Sequence, residues 1–268
     1  MGVVSIYAFL WPALGLGFVF VMTSLGSSTV LLVGKRMRST SQKIFLGFAA
    51  GVMIAASVWS LLIPAIEESE AAGTPGWLPA AGGFILGVFF LYGLDRLIPH
   101  LHPSSNTLEG PSSVVKRTTL LVSAVTLHNI PEGMAVGLSF ALAAQHPDNP
   151  ALYTSAMALA LGIGIQNFPE GAAVALPLRQ EGASAGRAFA LGCMSGAVEP
   201  VFGAAAVALA DAIAPAMPWL LSFAAGAMMY VVVEELIPEA HLGEHSNAGT
   251  FGVMAGFLVM MVFDVALS

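Results

Sequence analysis

Eight long apolar stretches run through this chain of 268 residues and leave little room for a water-soluble domain. A helix that crosses the hydrocarbon core of a bilayer needs about 20 predominantly apolar residues. The stretches cover residues 3–33, 44–66, 79–98, 118–143, 152–178, 185–210, 219–241 and 250–267. We therefore predict an all-α membrane protein in which residues 1–268 form one transmembrane domain.

Composition narrows the choice of function further. Only 9% of the residues are charged, far below the share in globular domains, and the net charge is −7. An acidic chain has no basic surface for a nucleic-acid backbone, so nucleic acid is excluded as a main partner. Cys193 is the only cysteine, so one chain cannot form a disulfide framework, a four-cysteine zinc site or a haem-attachment motif.

The basic residues predict the orientation in the membrane. All of them fall between or at the ends of stretches that share one side: Lys35, Arg36, Arg38, Lys43, Arg96, Lys116, Arg117, Arg179 and Arg187. By the positive-inside rule this side is the cytoplasm, which places both termini outside. The opposite loops carry acids and no basic residue, namely Glu67, Glu68, Glu70, Asp148 and Asp211. We expect this outer face to attract cations.

Two internal repeats predict the arrangement of the spans. Phe-Ala-Ala-Gly-Val-Met at residues 48–53 recurs as Phe-Ala-Ala-Gly-Ala-Met at 223–228, and Leu-Ile-Pro follows each. The matched helices are five spans apart, an odd number, so they cross the membrane in opposite senses, as in inverted-repeat transporters. Leu-His-Asn-Ile-Pro-Glu-Gly at 127–133 likewise matches Ile-Gln-Asn-Phe-Pro-Glu-Gly at 165–171. The predicted arrangement is 3 + 2 + 3 spans, and chance similarity between Ala- and Gly-rich helices is the alternative.

The central repeat places polar side chains near the middle of the membrane. His128 and Glu132 are four residues apart, as are Gln166 and Glu170, so each pair lies on one helical face. Asn129 and Asn167 lie beside them. The prolines at 131 and 169 crowd the carbonyl groups four residues earlier and are expected to kink both helices, which exposes backbone oxygen at the same depth.

A third carboxylate, Glu199, lies at a comparable depth in the sixth span. An ionised acid at the bilayer centre costs about 2.5–3.5 kcal/mol on insertion scales, so Glu132, Glu170 and Glu199 need compensation. No lysine or arginine is available there. Protons are one solution, but an imidazole, amide oxygens and three carboxylates together favour a shell for a divalent metal of borderline hardness. Met53 is either a soft thioether ligand or a residue that fills a gap in the core.

Other ionisable residues have less defined roles. One cluster runs from the inner half of the seventh span into the next loop: Glu234, Glu235, Glu239, His241 and His245. These residues either line an inner exit or form an interfacial cluster. His100 and His102 are expected to be solvated, and Asp95 and Asp264 to face water near the span ends.

The paired motifs on the fourth and fifth of eight helices resemble the ZIP family of divalent metal transporters, in particular its bacterial, GufA-like branch. The resemblance covers the whole chain. It implies two adjoining metal positions: the first on Met53, His128, Glu132, Gln166 and Glu170, the second on Asn129, Glu132, Asn167, Glu170 and Glu199. It also implies zinc import toward the cytoplasm across a bacterial inner membrane, with cadmium, iron or manganese as further substrates, no organic cofactor, and homodimers. Asn167, where some relatives have Asp, and the few loop histidines are departures that affect selectivity.

The function hypothesis is a multipass transporter that carries Zn2+ through this site by alternating access. A channel-like pathway is the nearest alternative. A membrane-embedded dinuclear metalloenzyme is a second, but the Glu-x-x-His spacing of di-iron bundles is absent, since the spacing here is His-x-x-x-Glu. We therefore expect no enzymatic activity. A metal-sensing receptor would lack a soluble signalling domain.

Overall fold

The computed structural model describes residues 3–32, 39–97, 100–101, 108–109, 117–180, 182–241 and 247–267, and these residues are almost entirely helical. The α-helices are α1 (Val3–Leu32), α2 (Ser39–Ala56), α3 (Ile63–Ala71), α4 (Trp77–Leu97), α5 (Arg117–Gln145), α6 (Pro150–Gln180), α7 (Ala185–Gly196), α8 (Val198–Ala208), α9 (Ala210–Ile213), α10 (Met217–Val231), α11 (Ile237–His241) and α12 (Ala248–Leu267). In the described ranges, extended backbone is limited to two antiparallel dipeptides, β1 (His100–Leu101) and β2 (Leu108–Glu109). The all-α prediction is confirmed.

Seven helical segments of the described chain are long and apolar enough to cross a bilayer. Helix α5 has 29 residues, which is long enough, but His128, Asn129 and Glu132 reduce its apolar content. The predicted count of eight spans therefore stays a prediction. Several predicted residues lie outside the described ranges: Lys35, Arg36, Arg38, His102, Lys116 and His245.

Three of the predicted spans differ from single α-helices. The second span continues from α2 into α3 through a π-helical turn at Ser57–Leu62, and the seventh continues from α10 into α11 through a π-helical turn at Val232–Leu236. In both, the residue after the turn donates its backbone N–H five residues back, from Ile63 to Val58 and from Ile237 to Val232. A proline follows each turn. Proline cannot donate an N–H and crowds the carbonyl four residues earlier. A wider, π-helical turn therefore accommodates the proline without ending the span.

The sixth span breaks at Ala197, between α7 and α8. The cause is Pro200, which cannot sit in a helix interior without losing a hydrogen bond but is tolerated in a first turn. Ala197 donates its N–H three residues back to Met194 at 3.2 Å, and a new helix starts at Val198. The break places Glu199 in the first turn of α8, at the N-terminal end of a helix that favours negative charge.

The helices pack as two groups. Helices α1, α5, α6, α7 and α8 pack on one another and are called the site bundle below. The flanking bundle consists of α2, α3, α4, α10, α11 and α12. The two bundles meet mainly where α6 contacts α2 and α12 and where α10 contacts α5.

In the flanking bundle, neighbouring helices approach each other closely at glycines. A Cβ on Gly51 of α2 would meet the carbonyl oxygen of Val253 in α12, and one on Gly226 of α10 would meet that of Phe84 in α4. Small residues let membrane helices approach closely enough for dispersion contacts to hold them, because lipid supplies no hydrophobic drive between them. Gly51 and Gly226 are the matching glycines of the two repeated segments, so the same contact is made twice.

We predict that Gly51→Ala and Gly226→Ala each lower the unfolding temperature in detergent, because the added methyl group meets a backbone oxygen that cannot rotate away. Overpacking of this kind costs about 1–3 kcal/mol. The matched control is Gly17→Ala, since a Cβ on Gly17 of α1 meets no atom within 4 Å. Gly17→Ala is expected to keep or raise the unfolding temperature. Equal losses in all three variants would contradict the proposed role of the glycine contacts.

Candidate metal centre

The predicted ligands of α5, α6 and α8 come together in the interior of the site bundle. His128, Asn129, Glu132, Gln166, Asn167 and Glu199 are each at most 4% exposed. Glu170 is half-buried. The third carboxylate is there because the helix break at Ala197 lets the start of α8 pack on α5, where a Cβ on Gly133 would meet the backbone of Glu199. The predicted residues therefore share a buried polar centre and do not face lipid.

Amide side chains supply the hydrogen bonds that the carboxylates need. Gln166 Nε2 of α6 donates to Glu132 Oε1 of α5 at 2.8 Å. Asn167 Nδ2 donates to Glu199 Oε2 at 2.7 Å. Hydrogen bonds to an ionised acceptor are stronger than neutral ones, so these contacts offset part of the cost of burying the two acids.

Thr23 of α1 completes the environment of Glu199. Its Oγ1 accepts a hydrogen bond from Asn167 Nδ2 at 3.0 Å. The same oxygen lies 3.5 Å from Glu199 Oε1 and 3.3 Å from the carbonyl oxygen of Val19, and its single proton can serve either acceptor. Sequence reasoning missed Thr23. The available signal was its spacing of four from Ser27, which places two hydroxyl groups on one face of α1; Ser27 Oγ donates to the Gly171 carbonyl at 3.2 Å.

Four oxygens of the predicted ligands have no hydrogen-bond partner although they are buried: Asn129 Oδ1, Glu132 Oε2, Gln166 Oε1 and Asn167 Oδ1. For the three amide oxygens, the orientation of the amide group explains this. Each amide points its NH2 toward an acceptor, since Asn129 Nδ2 donates to the Ser195 carbonyl at 3.1 Å and the other two donate to carboxylates. Their oxygens are left with free lone pairs. An unsatisfied oxygen in the interior costs free energy, and a cation is one group that would satisfy it.

The carboxylates lie within electrostatic range of one another but do not converge on one point. Glu132 interacts electrostatically with Glu170 and Glu199, and Glu199 also with Glu170. Over the part of the chain that the structure describes, no three His, Cys, Asp or Glu side chains are placed to hold one metal ion. A complete shell for an ion in this centre therefore has to include amide oxygens beside carboxylates.

His128 contacts a residue of the other bundle. Its Nδ1 lies 3.0 Å from Oε2 of Glu235, which belongs to the π-helical turn between α10 and α11, and both side chains are nearly buried. Sequence reasoning placed Glu235 in the exit cluster and did not pair it with His128. A usable signal was its place in the repeat, since Glu235 matches Ser60, another buried polar residue in a π-helical turn.

The remaining predicted residues differ in burial. Met53 is fully buried in the apolar core, and its role as a ligand stays a prediction. Glu234 is exposed, Glu239 is half-buried, His241 ends α11, and His245 lies outside the described ranges. The expectation that Asp95 and Asp264 face water is wrong, because they are only 5% and 3% exposed. Asp264 can be buried because Ser60 Oγ donates to its Oδ1 at 2.6 Å.

The sequence is similar to known transporters over nearly its whole length. Residues 105–264 match the family model described as ZIP Zinc transporter. The chain is 42% identical to the zinc transporter GufA of Myxococcus xanthus, with 91% of this chain and 94% of that protein aligned. It is 41% identical to the zinc transporter ZIPB of Bordetella bronchiseptica, with 97% and 81% aligned. It is 38% identical to the human zinc transporter ZIP11, with 95% and 96% aligned.

We predict that Thr23→Val destabilises the site bundle, because it removes the hydroxyl that accepts from Asn167 and keeps the side-chain volume. Leaving a buried donor with one acceptor fewer costs about 1–3 kcal/mol. The measurement is the unfolding temperature in detergent, with and without Zn2+. Thr23→Ser keeps the hydroxyl and is the control. If valine and serine at this position have the same effect, the hydroxyl has no part in supporting Asn167.

Proposed function

This chain belongs to the ZIP family of zinc transporters, and from that premise we propose that it carries Zn2+ across the membrane through the buried centre between α5, α6 and α8. Family membership rests on the matches to the family model and to relatives of 38–42% identity. The matched relatives are named zinc transporters, and the chain is a multipass membrane transporter and not an enzyme. The metalloenzyme alternative is not favoured.

One observation carries the proposed site: three amide oxygens and one carboxylate oxygen are buried without a hydrogen-bond partner, and the buried residues that the structure describes include no lysine or arginine. A divalent cation would bind those oxygens and offset the negative charge at once. We propose Asn129, Glu132, Gln166, Asn167, Glu170 and Glu199 as the principal ligands. His128 and Met53 would join them as the nitrogen and the thioether ligand.

The mixed donor set suits an ion that must leave again. A closed thiolate cage holds zinc as a structural element, whereas carboxylate, amide and imidazole ligands can be exchanged for water or for the next group along a path. The same donors accept other divalent ions of intermediate size and hardness. We therefore include Cd2+, Fe2+ and Mn2+ among the substrates to be tested.

The proposed topology is eight spans in one transmembrane domain, arranged 3 + 2 + 3. Helix α5 would be the fourth span, and its polar ligands make it less apolar than the others. Three features support the inverted repeat. The π-helical turns begin at Ser57 and Val232, at the same distance from Phe48 and Phe223. Helix α2 packs on α12 as α10 packs on α4, through matching glycines. In the site bundle, α1 packs on α6 as α8 packs on α5.

Alternating access follows from the division into two bundles. The principal ligands come from the site bundle, whereas Met53 and Glu235, the partner of His128, belong to the flanking bundle. A relative movement of the bundles would break this ion pair and change which side of the membrane the centre faces. Because all the basic residues share one side, we propose that the termini lie outside a bacterial inner membrane. Inward transport is proposed from the family resemblance. A homodimer is proposed from the family resemblance alone.

We predict that Glu132→Gln and Glu199→Gln each reduce zinc uptake at least tenfold, because each removes one charge of the centre at nearly constant volume. Uptake is measured with radioactive zinc in liposomes that contain the purified protein, and a zinc-sensitive dye in the lumen reports direction. His128→Ala tests the imidazole in the same way.

The matched control is Asp211→Asn, which removes an acidic charge from an exposed position in α9. Its uptake is expected to stay close to that of the original chain. Unchanged uptake in both glutamate variants, with correctly folded protein, would contradict the site assignment. Uptake that does not saturate with zinc concentration would favour a channel-like pathway.

A further inference from the structure

A second histidine–glutamate ion pair joins the two bundles at the outer face. His146 Nε2, in the turn between α5 and α6, lies 3.0 Å from Glu68 Oε2 of α3. The turn belongs to the site bundle and α3 to the flanking bundle. Relative movement of the bundles at this face would therefore separate the two side chains.

Both partners have well-anchored backbones. The His146 N–H donates to the Ala143 carbonyl at 3.2 Å, and the His146 carbonyl accepts from the Asn149 N–H at 2.9 Å. Next to it, Gln145 Nε2 donates to the Ala210 carbonyl at 2.7 Å. On the other side, the Glu68 carbonyl accepts the N–H of Ala72 at 3.1 Å. The ion pair thus reports the spacing of two fixed segments and not the position of a loose loop.

The contact depends on charge more than on hydrogen-bond geometry. The two side chains are 42% and 29% exposed, but the Nε2 atom of His146 is itself shielded and forms no directional hydrogen bond. The other charged residues on the segments around it are all acidic: Glu67 and Glu70 on α3, Asp148 in the same turn, and Asp211 on α9. Protonated histidine is attracted to all of these groups, whereas neutral histidine loses most of the attraction.

We propose that His146 and Glu68 form a proton-sensitive latch that holds the outer ends of the two bundles together and keeps the metal centre closed to the outer side. The latch rests on the proposed alternating-access function. It is distinct from the metal centre, because neither residue is a predicted ligand or contacts one.

The direction of the pH effect follows from the two charges. Histidine changes charge between about pH 5 and 8, whereas glutamate in general stays ionised in that range. The latch is therefore strongest at acid pH and weakens as the pH rises. An exposed ion pair shifts a two-state population by roughly two- to fivefold, so we expect an effect of that size.

The first test measures the latch without transport. Spin labels are attached to Ala72→Cys in the flanking bundle and Ala151→Cys in the site bundle, both exposed positions, in a Cys193→Ser background. Pulsed electron–electron double resonance then gives the distribution of distances between the two spin labels at pH 5.5 and 7.5. We expect the short-distance population to be roughly two- to fivefold more favoured at pH 5.5.

Three variants make the result specific. Glu68→Gln and His146→Gln each keep a polar side chain at the position but remove its charge, so both are expected to abolish the pH response. His146→Lys keeps a permanent positive charge, so it should hold the short distance at both pH values. Glu70→Gln removes another exposed carboxylate of α3, outside the contact between His146 and Glu68, and is the control, with most of the original pH response retained.

A pH response that is the same in the original chain, Glu68→Gln and His146→Gln would overturn the proposal. A second arm compares zinc uptake by each variant with that of the original chain at the same external pH. Glu68→Gln and His146→Gln should be faster than the original chain by about two- to fivefold at pH 5.5 and equal to it at pH 7.5. If uptake fails in every protein but the distances respond as expected, the transport proposal fails and the latch stands as a closure device.

Discussion

The cost of placing carboxylates inside a membrane protein governs the structure around them. Glu132 and Glu199 are buried, and the described interior offers no lysine or arginine to pair with them. The chain solves this with amides, because Gln166 and Asn167 each direct an NH2 group to one carboxylate. The solution is incomplete, because the side-chain oxygens of Gln166 and Asn167 are buried and have no hydrogen-bond donor beside them. In the function proposed here, those free oxygens, beside negative charge, would attract a divalent ion.

The contacts inside the bundles differ in kind from those at the boundary where we propose movement. Close contacts at glycines hold α2 against α12 and α10 against α4. Widened turns or a break accompany proline at the places where Ser60, Glu199 and Glu235 lie. Between the bundles, by contrast, two contacts among the described residues each join a histidine to a glutamate. Contacts of this kind can be broken and remade, whereas backbone–backbone contacts through glycine cannot be exchanged without separating the helices.

Much of the site was predictable because membrane burial makes polar residues conspicuous. His128, Asn129, Glu132, Gln166, Asn167 and Glu199 were identified from their spacing and from their depth in the predicted spans, and all are buried. Thr23 was missed because a single hydroxyl costs little in a membrane helix and gives no clear pattern. The burial of Asp95 and Asp264 was also missed, since distance from a span end says nothing about what packs over a side chain. Asp264, for example, is covered where α12 meets the π-helical turn that carries Ser60.

Hydrophobic length and spacing along a helix are local properties of the chain, so the helical class, the repeated motifs and the polar residues could be identified without coordinates. The partners of those residues could not be identified in that way. In the structure, Glu235 contacts His128, Thr23 accepts a hydrogen bond from Asn167, and the first turn of α8 brings Glu199 to the centre. These pairings join residues far apart in the chain, and they depend on how two helix bundles pack, which no local pattern specifies.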